Sequence, residues 1–249
     1  MTFQSVFITG ASSGLGRGLA LHYANAGATV FAAARRQAEL DSLAQEIKGP
    51  GKIVPLPLDV ADLDAVAAAI ARAEAQSGGA LDLVIANAGI GMPTPARKLD
   101  WQKVQRIFHV NTTAAAVTVS AALPAMVIKD KGTVVAISSL AAFRGLPGNG
   151  AYSASKAALR TFMEGLRVDL RGTQVRALTI YPGFVKTPLT AKNKFSMPFI
   201  LELDDAVARM VRGIERGQRS VRFPLPLSLG TRLLASLPDW MYEALAGKR

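Results

Sequence analysis

Tyr152 and Lys156 stand four residues apart at the start of a helix-patterned segment, which places both side chains on one helix face. A phenol ionises near pH ~10 and is a poor base at neutral pH. A neighbouring ammonium stabilises the phenolate, and a lowering of two units corresponds to ~2.7 kcal/mol. Ser139 lies thirteen residues before Tyr152, at the end of an apolar run and across the glycine-rich stretch 145–150. A hydroxyl there could hold a carbonyl oxygen as an oxyanion-type donor. Singly, each has a plainer explanation: a surface tyrosine beside a solvated lysine, and a strand-end serine in a turn.

A second group of residues has the chemistry of an anion site. Gly10, Gly14 and Gly16 surround Ser12, Ser13 and Leu15 between a strand pattern and a helix pattern. Glycines allow a tight turn and close approach of backbone to a pyrophosphate, and the helix N-terminus supplies free N–H groups. The spacing is not the G-x-G-x-x-G of the usual dinucleotide fingerprint. The next strand pattern runs into Arg35 and Arg36 where an NAD site would place Asp or Glu. Arg pairs with a ribose 2′-phosphate through charge-assisted hydrogen bonds, so NADP(H) is the expected cofactor. Ser12 and Ser13 could add hydroxyl donors to the same phosphate.

These groups must be held by a regular scaffold. Strand patterns fall at 5–9, 29–33, 53–58, 81–86, 133–138, 175–181 and 220–223. Several are near-continuous apolar runs, as in strands buried on both faces. Between them, Leu63, Val66, Ala67 and Ile70 repeat at helical spacing, as do Val207, Met210, Val211 and Ile214, and Ala158, Phe162, Leu166 and Leu170. The alternation predicts an α/β fold: a single Rossmann-type domain with a doubly wound parallel sheet. Ligands then sit beyond the carboxyl ends of the strands. Asn87, Ala88 and Gly89 follow the fourth strand and belong to that edge. Asn111, inside a helical stretch, has no function on its own pattern.

Composition narrows the classes. Half the residues are hydrophobic and 19% are charged, which excludes disorder as the main state. Zero cysteines exclude disulfides, thiolate metal sites and a thiol nucleophile, and two histidines, His22 and His109, cannot build a multi-histidine cage. No metal is expected, and His109 reads as a helix residue rather than a catalyst. The charge of +11 is spread along the chain without basic–aromatic interleaving, so nucleic acid is not the expected partner. The start carries no secretory pattern. The apolar run 113–128 is shorter than the ~20 residues of a membrane span, and Pro124 interrupts it. A cytoplasmic protein is expected.

In combination these motifs resemble the short-chain dehydrogenase/reductase family. The matching elements are Thr9-Gly10-x-x-x-Gly14-x-Gly16, Asp59-Val60, Asn87-Ala88-Gly89, Asn111, Ser139, Tyr152-x-x-x-Lys156 and Pro182-Gly183-x-Val185-x-Thr187, over about residues 3–223. The resemblance implies a seven-stranded sheet and an oxidoreductase acting on a carbonyl or alcohol. It implies Tyr152 as general acid/base, and Lys156 lowering its pKa while binding the nicotinamide ribose. Ser139 would orient the substrate oxygen, and Asn111 would hold a water linking Lys156 to solvent. Gly10, Gly14, Leu15 and Gly16 would surround the pyrophosphate, Asp59 and Val60 would flank the adenine, and Asn87, Ala88 and Gly89 would line the adenosine side. Pro182, Gly183, Val185 and Thr187 would contact the nicotinamide end. Arg35 matches the basic position of NADP-preferring members, and Arg36 would cover the adenine. Where the family often has Asn-Asn-Ala-Gly, this chain has Ala86 in place of the first Asn.

Residues 1–223 are therefore expected to form the nucleotide-binding catalytic domain. The loop 184–203 would be a lid, because Leu189, Phe195, Met197, Pro198, Phe199 and Ile200 make it apolar for a loop. Leu140, Phe143 and Leu146 would face the same apolar substrate. The extension 224–249 offers Leu225, Leu227, Leu229, Leu233, Leu234, Leu237, Trp240, Met241 and Leu245. It is expected to wall the pocket or contact a second subunit of a homodimer or homotetramer. Membrane contact is disfavoured because Pro238 cuts any amphipathic helix short. Two rivals remain at this stage. An epimerase or dehydratase with the same Tyr/Lys pair usually needs a longer chain. A regulator that senses NADP without turnover has no chemical need for Ser139, Tyr152 and Lys156 together.

Overall fold

The computed structural model describes residues 3–192 and 196–246; Phe195 lies outside them. Seven strands form one parallel sheet in the order β3-β2-β1-β4-β5-β6-β7. They are β1 (Ser5–Thr9), β2 (Thr29–Ala34), β3 (Lys52–Pro57), β4 (Leu83–Ala86), β5 (Gly132–Ile137), β6 (Val175–Pro182) and β7 (Ser220–Phe223). All seven predicted strands are present, each within two residues of the expected bounds. The boundary differences fall on β2 to β6; in β2, β4, β5 and β6 the central positions are buried on both faces, so no alternation marks where pairing stops, whereas β3 is a partly buried edge strand.

The helices cover both faces. On one, α1 (Gly14–Asn25), α2 (Gln37–Gln45) and α7 (Leu203–Glu215) bury Leu19, Leu40, Leu43, Val207 and Ile214 against Ile8, Val30 and Ile180. On the other, α3 (Leu63–Ser77), α5 (Ala115–Ile128) and α6 (Gly150–Asp169) bury Val66, Ile70, Val119, Leu159 and Met163 against Phe7, Phe31, Val84 and Val134. Buried apolar side chains contribute roughly 1.5–3 kcal/mol each, so this double layer fixes the sheet edges on which the chemistry stands.

The apolar run ending at Ile128 belongs to a longer element than its composition indicated. Helix α4 (Trp101–Phe108), a π-helical turn at His109–Ala114 and α5 form one 28-residue helical stretch. By length and composition it could cross a membrane. In this fold it packs on β4, β5, α3 and α6, with Val119, Ala122 and Met126 fully buried.

After β7 the chain forms two further helices, α8 (Leu225–Ser236) and α9 (Asp239–Ala246). Pro238 separates them and interrupts neither. Because every strand is parallel, all loops that follow strands open on one edge. The chain reverses its direction of spread between β1 and β4, which leaves a crevice at that switch point.

Candidate active site

A cleft of about 1020 Å³ runs along that edge. Its lining includes every predicted site residue except Gly16 and Asn111. The first turn of α1 opens into it at Gly14 and Leu15, and Ser13 at the N-cap makes no side-chain cap bond. The leading N–H groups of that helix have no carbonyl one turn back, which suits an anion. Close approach explains two of the glycines. A Cβ on Gly16 would lie 2.4 Å from the Gly10 carbonyl oxygen and from Asn87 Nδ2. Gly10 has φ +69°, and a Cβ there would lie 2.9 Å from Ala88 Cα.

Thr9, which opens the glycine motif without a role of its own there, locks this loop. Its hydroxyl accepts from the backbone N–H of both Asn87 and Ala88, each at 3.1 Å. Asn87 Nδ2 donates in return to the carbonyls of Thr9 at 2.9 Å and Gly10 at 3.3 Å. The carboxamide of Asn87 thus fastens β4 to the glycine loop as well as lining the cleft. Thr9→Val keeps the shape and removes one acceptor from two donors. Leaving a buried donor unpaired costs about 1–3 kcal/mol, so a Tm loss of roughly 2–10 °C is expected by thermal unfolding. An unchanged Tm would show that these bonds do not hold the loop.

Arg35 and Arg36 follow β2 at the cleft margin, both exposed. Arg36 donates to Ser12 Oγ at 3.0 Å and lies 3.6 Å from Glu39. Among the described residues Arg35 forms no ion pair. Asp59 and Val60 line the same end, where Asp59 accepts from Ala61 N at 3.0 Å. His109 was not expected there, yet it lines the cleft, with Nε2 2.7 Å from the Ala61 carbonyl oxygen.

At the other end, β5 and α6 bring Ser139, Tyr152 and Lys156 together. Ser139 caps a short 3-10 turn at Leu140–Phe143, accepting from Ala141 N at 3.1 Å and donating to the Pro182 carbonyl at 3.4 Å, and its hydroxyl lies against the Tyr152 phenol. Lys156 is 4% exposed and donates from Nζ to the Ile137 carbonyl at 2.8 Å. Burial pulls its pKa down to about 8, because the charged form loses water. Burial likewise raises the Tyr152 phenol above its ordinary value, while the Ser139 hydroxyl beside it pulls the other way. The expected lowering by Lys156 is absent from this arrangement: its ammonium is turned to Ile137 and lies 5.9 Å from the centroid of the Tyr152 ring.

Asn111 is fully buried in the π turn. Its carboxamide accepts from Ile90 N at 2.8 Å, and donates to the Ile90 carbonyl at 2.9 Å and to Ser155 Oγ at 3.1 Å. Ser155 in turn donates to the Tyr152 carbonyl at 2.7 Å. The side chain therefore ties the loop after β4 to α6. A Cβ on Gly89 would lie 3.3 Å from both Asn111 Oδ1 and Lys156 Nζ, so the two groups flank one glycine. A π turn disturbs the helical carbonyl ladder and frequently marks a functional site. The roles of Ser155, Ser138 and Thr9 were not legible in the sequence because their partners are tertiary. Ser138 Oγ, for one, donates to the Lys156 carbonyl at 2.9 Å.

Pro182, Gly183, Val185 and Thr187 line the cleft after β6. The ends of the loop that follows are joined: Val185 bridges Leu201, and Lys186 pairs with Glu202. Of the apolar residues expected to form the lid, Leu189 lines the cleft, whereas Met197, Pro198, Phe199 and Ile200 do not, and Phe199 is exposed. Leu140 and Leu146 face the cleft as expected. Phe143 does not: it turns away to stack on Tyr181 at 5.1 Å, with Arg160 and Arg222 over its ring. The far wall comes from α8, through Leu227, Thr231 and Leu234. The other face of α8 leaves Leu225, Leu229 and Leu233 exposed.

Comparison with known proteins agrees with this geometry. Residues 4–197 match the family model described as short chain dehydrogenase. The chain is 53% identical over 247 residues to an uncharacterized oxidoreductase of Myxococcus xanthus, covering 99% of this chain and 97% of that protein. It is 33% identical over 186 residues to a 3-oxoacyl-(acyl-carrier-protein) reductase of Thermotoga maritima, covering 74% and 75%. A solved short-chain dehydrogenase from Streptomyces avermitilis superposes with a TM-score of 0.83 at 25% identity, over 100% of this chain and 99% of that one.

Proposed function

Since the chain belongs to the short-chain dehydrogenase family, whose members are oxidoreductases that use a nicotinamide nucleotide, we propose that it is an NADP(H)-dependent enzyme acting on an uncharged, apolar carbonyl or alcohol. The observation that carries this reading is one continuous cleft. Ser139, Tyr152 and Lys156 converge at one end, and the α1 N-terminus with Arg35 bounds the other. The residues suit a dinucleotide, because Gly10 and Gly16 let the loop pack directly on Asn87 and Ala88, which leaves the α1 N-terminus at Gly14 and Leu15 open to the cleft.

When bound, the nicotinamide nucleotide supplies or accepts the hydride. The α1 N-terminus would hold the pyrophosphate, and Arg35 with Ser12 the 2′-phosphate. Asp59 and Val60 would flank the adenine, and Lys156 the nicotinamide ribose. In the reductive direction Ser139 Oγ donates a hydrogen bond to the substrate oxygen, and Tyr152 Oη delivers the proton that completes the alcohol. In oxidation the same phenol takes that proton back. The ammonium of Lys156 favours the phenolate once it turns from Ile137 toward the reacting end. Leu140, Leu146, Leu189, Leu227 and Leu234 exclude water. Charged lining residues other than Lys156 come from the β2, β3 and α4 side, around Arg35, Asp59 and His109. That asymmetry supports a substrate without carboxylate or phosphate. Family members commonly assemble, and a cytoplasmic homodimer or homotetramer is part of this proposal.

NADP(H) preference is tested at Arg35. A 2′-phosphate brings about two negative charges, and hydrogen bonds to charged groups contribute about 1.5–3 kcal/mol each. Arg35→Asp is expected to weaken NADPH binding roughly 10–100-fold or more and to spare NADH. The measurement is the ratio of the two dissociation constants at one salt concentration. A wild type that binds NADH as tightly as NADPH, or a ratio that does not move, would overturn the preference.

A further inference from the structure

The loop 144–149 joins the turn that carries Ser139 to the helix that carries Tyr152, and it places Leu146 in the cleft. Its far end is held from within the catalytic domain. Leu146 N donates to Ser153 Oγ at 3.2 Å, and the Gly148 carbonyl accepts from Thr94 N at 2.7 Å. Its near end is held by α9. Arg144 pairs with Asp239 at 2.8 Å, the Arg144 guanidinium lies 4.4 Å from the centre of the Tyr242 ring, and the Tyr242 hydroxyl donates to the Gly145 carbonyl. None of the described residues of α9 is fully buried, and its large apolar side chains Trp240 and Leu245 are exposed. Its polar contacts converge on two adjacent residues of one loop. The same extension walls the cleft through α8.

From this arrangement we infer that Asp239 and Tyr242 of α9, acting through Arg144, are positioning residues for the reaction: they fix the loop that sets Ser139, Tyr152 and Leu146 relative to one another. No residue of the clamp touches the reacting atoms. It acts on the backbone between them, and small misplacements of reacting groups are costly. An exposed ion pair contributes little to global stability, and a cation–π contact at such a site adds only a modest amount. Loss of the clamp therefore affects the loop far more than the fold. The kinetic part rests on the oxidoreductase reading above; the loop-ordering part does not.

The test compares wild type with Asp239→Lys, Asp239→Glu and Tyr242→Phe in the full chain. Asp239→Lys sets an ammonium against Arg144, Asp239→Glu keeps the pair, and Tyr242→Phe removes only the hydroxyl. In Asp239→Lys, amide hydrogen exchange in the 144–149 segment is expected to speed up about tenfold, while β1 and β4 exchange as in wild type. With a carbonyl that the wild type reduces, kcat/KM is expected to fall about tenfold in Asp239→Lys and severalfold in Tyr242→Phe, and the NADPH dissociation constant should stay within about twofold. Asp239→Glu should restore both readouts. Wild-type exchange and kinetics in Asp239→Lys and Tyr242→Phe would overturn the clamp, as would a loss that Asp239→Glu shares. A wild type that binds no nicotinamide nucleotide would instead overturn the functional proposal, and the exchange comparison would still decide the clamp.

Discussion

Tyr152→Phe is expected to slow turnover by about 10²–10⁴-fold, the range that a positioned proton donor contributes. NADPH affinity should be nearly unchanged. The ring that fills the cleft wall remains, and only the oxygen beside the Ser139 hydroxyl is lost. The effect should fall on kcat and kcat/KM together, because the proton moves only in the chemical step. Steady-state kinetics and a fluorescence titration of NADPH separate the two. Near-wild-type turnover on any substrate found would remove Tyr152 from the mechanism. Loss of cofactor binding would show instead that the phenol holds the nucleotide.

Lys156→Met should produce the opposite pairing of activity and stability. The ammonium is assigned both to the nicotinamide ribose and to the phenolate, so turnover and NADPH affinity should both fall severely. The folded protein should nevertheless become more stable at pH 7. Lys156 has a folded pKa of about 8 against an ordinary value of 10.5, so folding disfavours its charged form. Below pH ~8 the lysine is protonated in both states, and the full penalty, about 3 kcal/mol, weighs on the fold. Between about 8 and 10.5 the unfolded chain holds the proton that the folded chain has released, so stability rises with pH and the penalty fades. Methionine removes the penalty and also leaves the Ile137 carbonyl without its donor, at a cost of about 1–3 kcal/mol. A net gain of at most about 1–2 kcal/mol is therefore expected at pH 7, disappearing as pH approaches 10. Denaturant unfolding without nucleotide at several pH values measures it. A variant less stable than wild type at pH 7 and relatively better at pH 10 would refute the sign.

Much of this was readable in the chain because strand-ending chemistry follows a positional rule. Once the apolar runs are strands, Gly10, Arg35, Asn87, Ser139 and Gly183 must fall on one edge, and the cleft collects them. Harder to read were bonds that depend on which elements become neighbours. Asn111 has the pattern of a solvated helix residue, yet the π turn buries it against Ile90 and Ser155. Nothing in the run His109–Ala114 marks that turn, since it arises from packing rather than propensity. Phe143 carried the composition of a cleft residue, but two arginines and Tyr181 offer its ring a better surface. The extension read as a leucine-rich tail. Its division into a wall and a clamp depends on Asp239 and Tyr242 meeting a loop 95 and 97 positions earlier.

The pairing of Thr9 with Asn87 and Ala88 also bears on how the protein is made. These partners are 78 and 79 positions apart, and β4 reaches β1 only after three strands have already been laid down. A nascent chain of about 80 residues would carry every glycine of the phosphate loop and still lack the bonds that hold the loop open to a nucleotide. Cofactor therefore cannot template the first half of the fold; mass action rewards only the chain in which β4 has closed on β1. Such long sequence separations slow folding and lengthen the time during which apolar β1, already paired with β2, presents an unpaired edge where β4 will dock. In the test tube an added nicotinamide nucleotide should therefore raise the yield of refolding without changing its early rate.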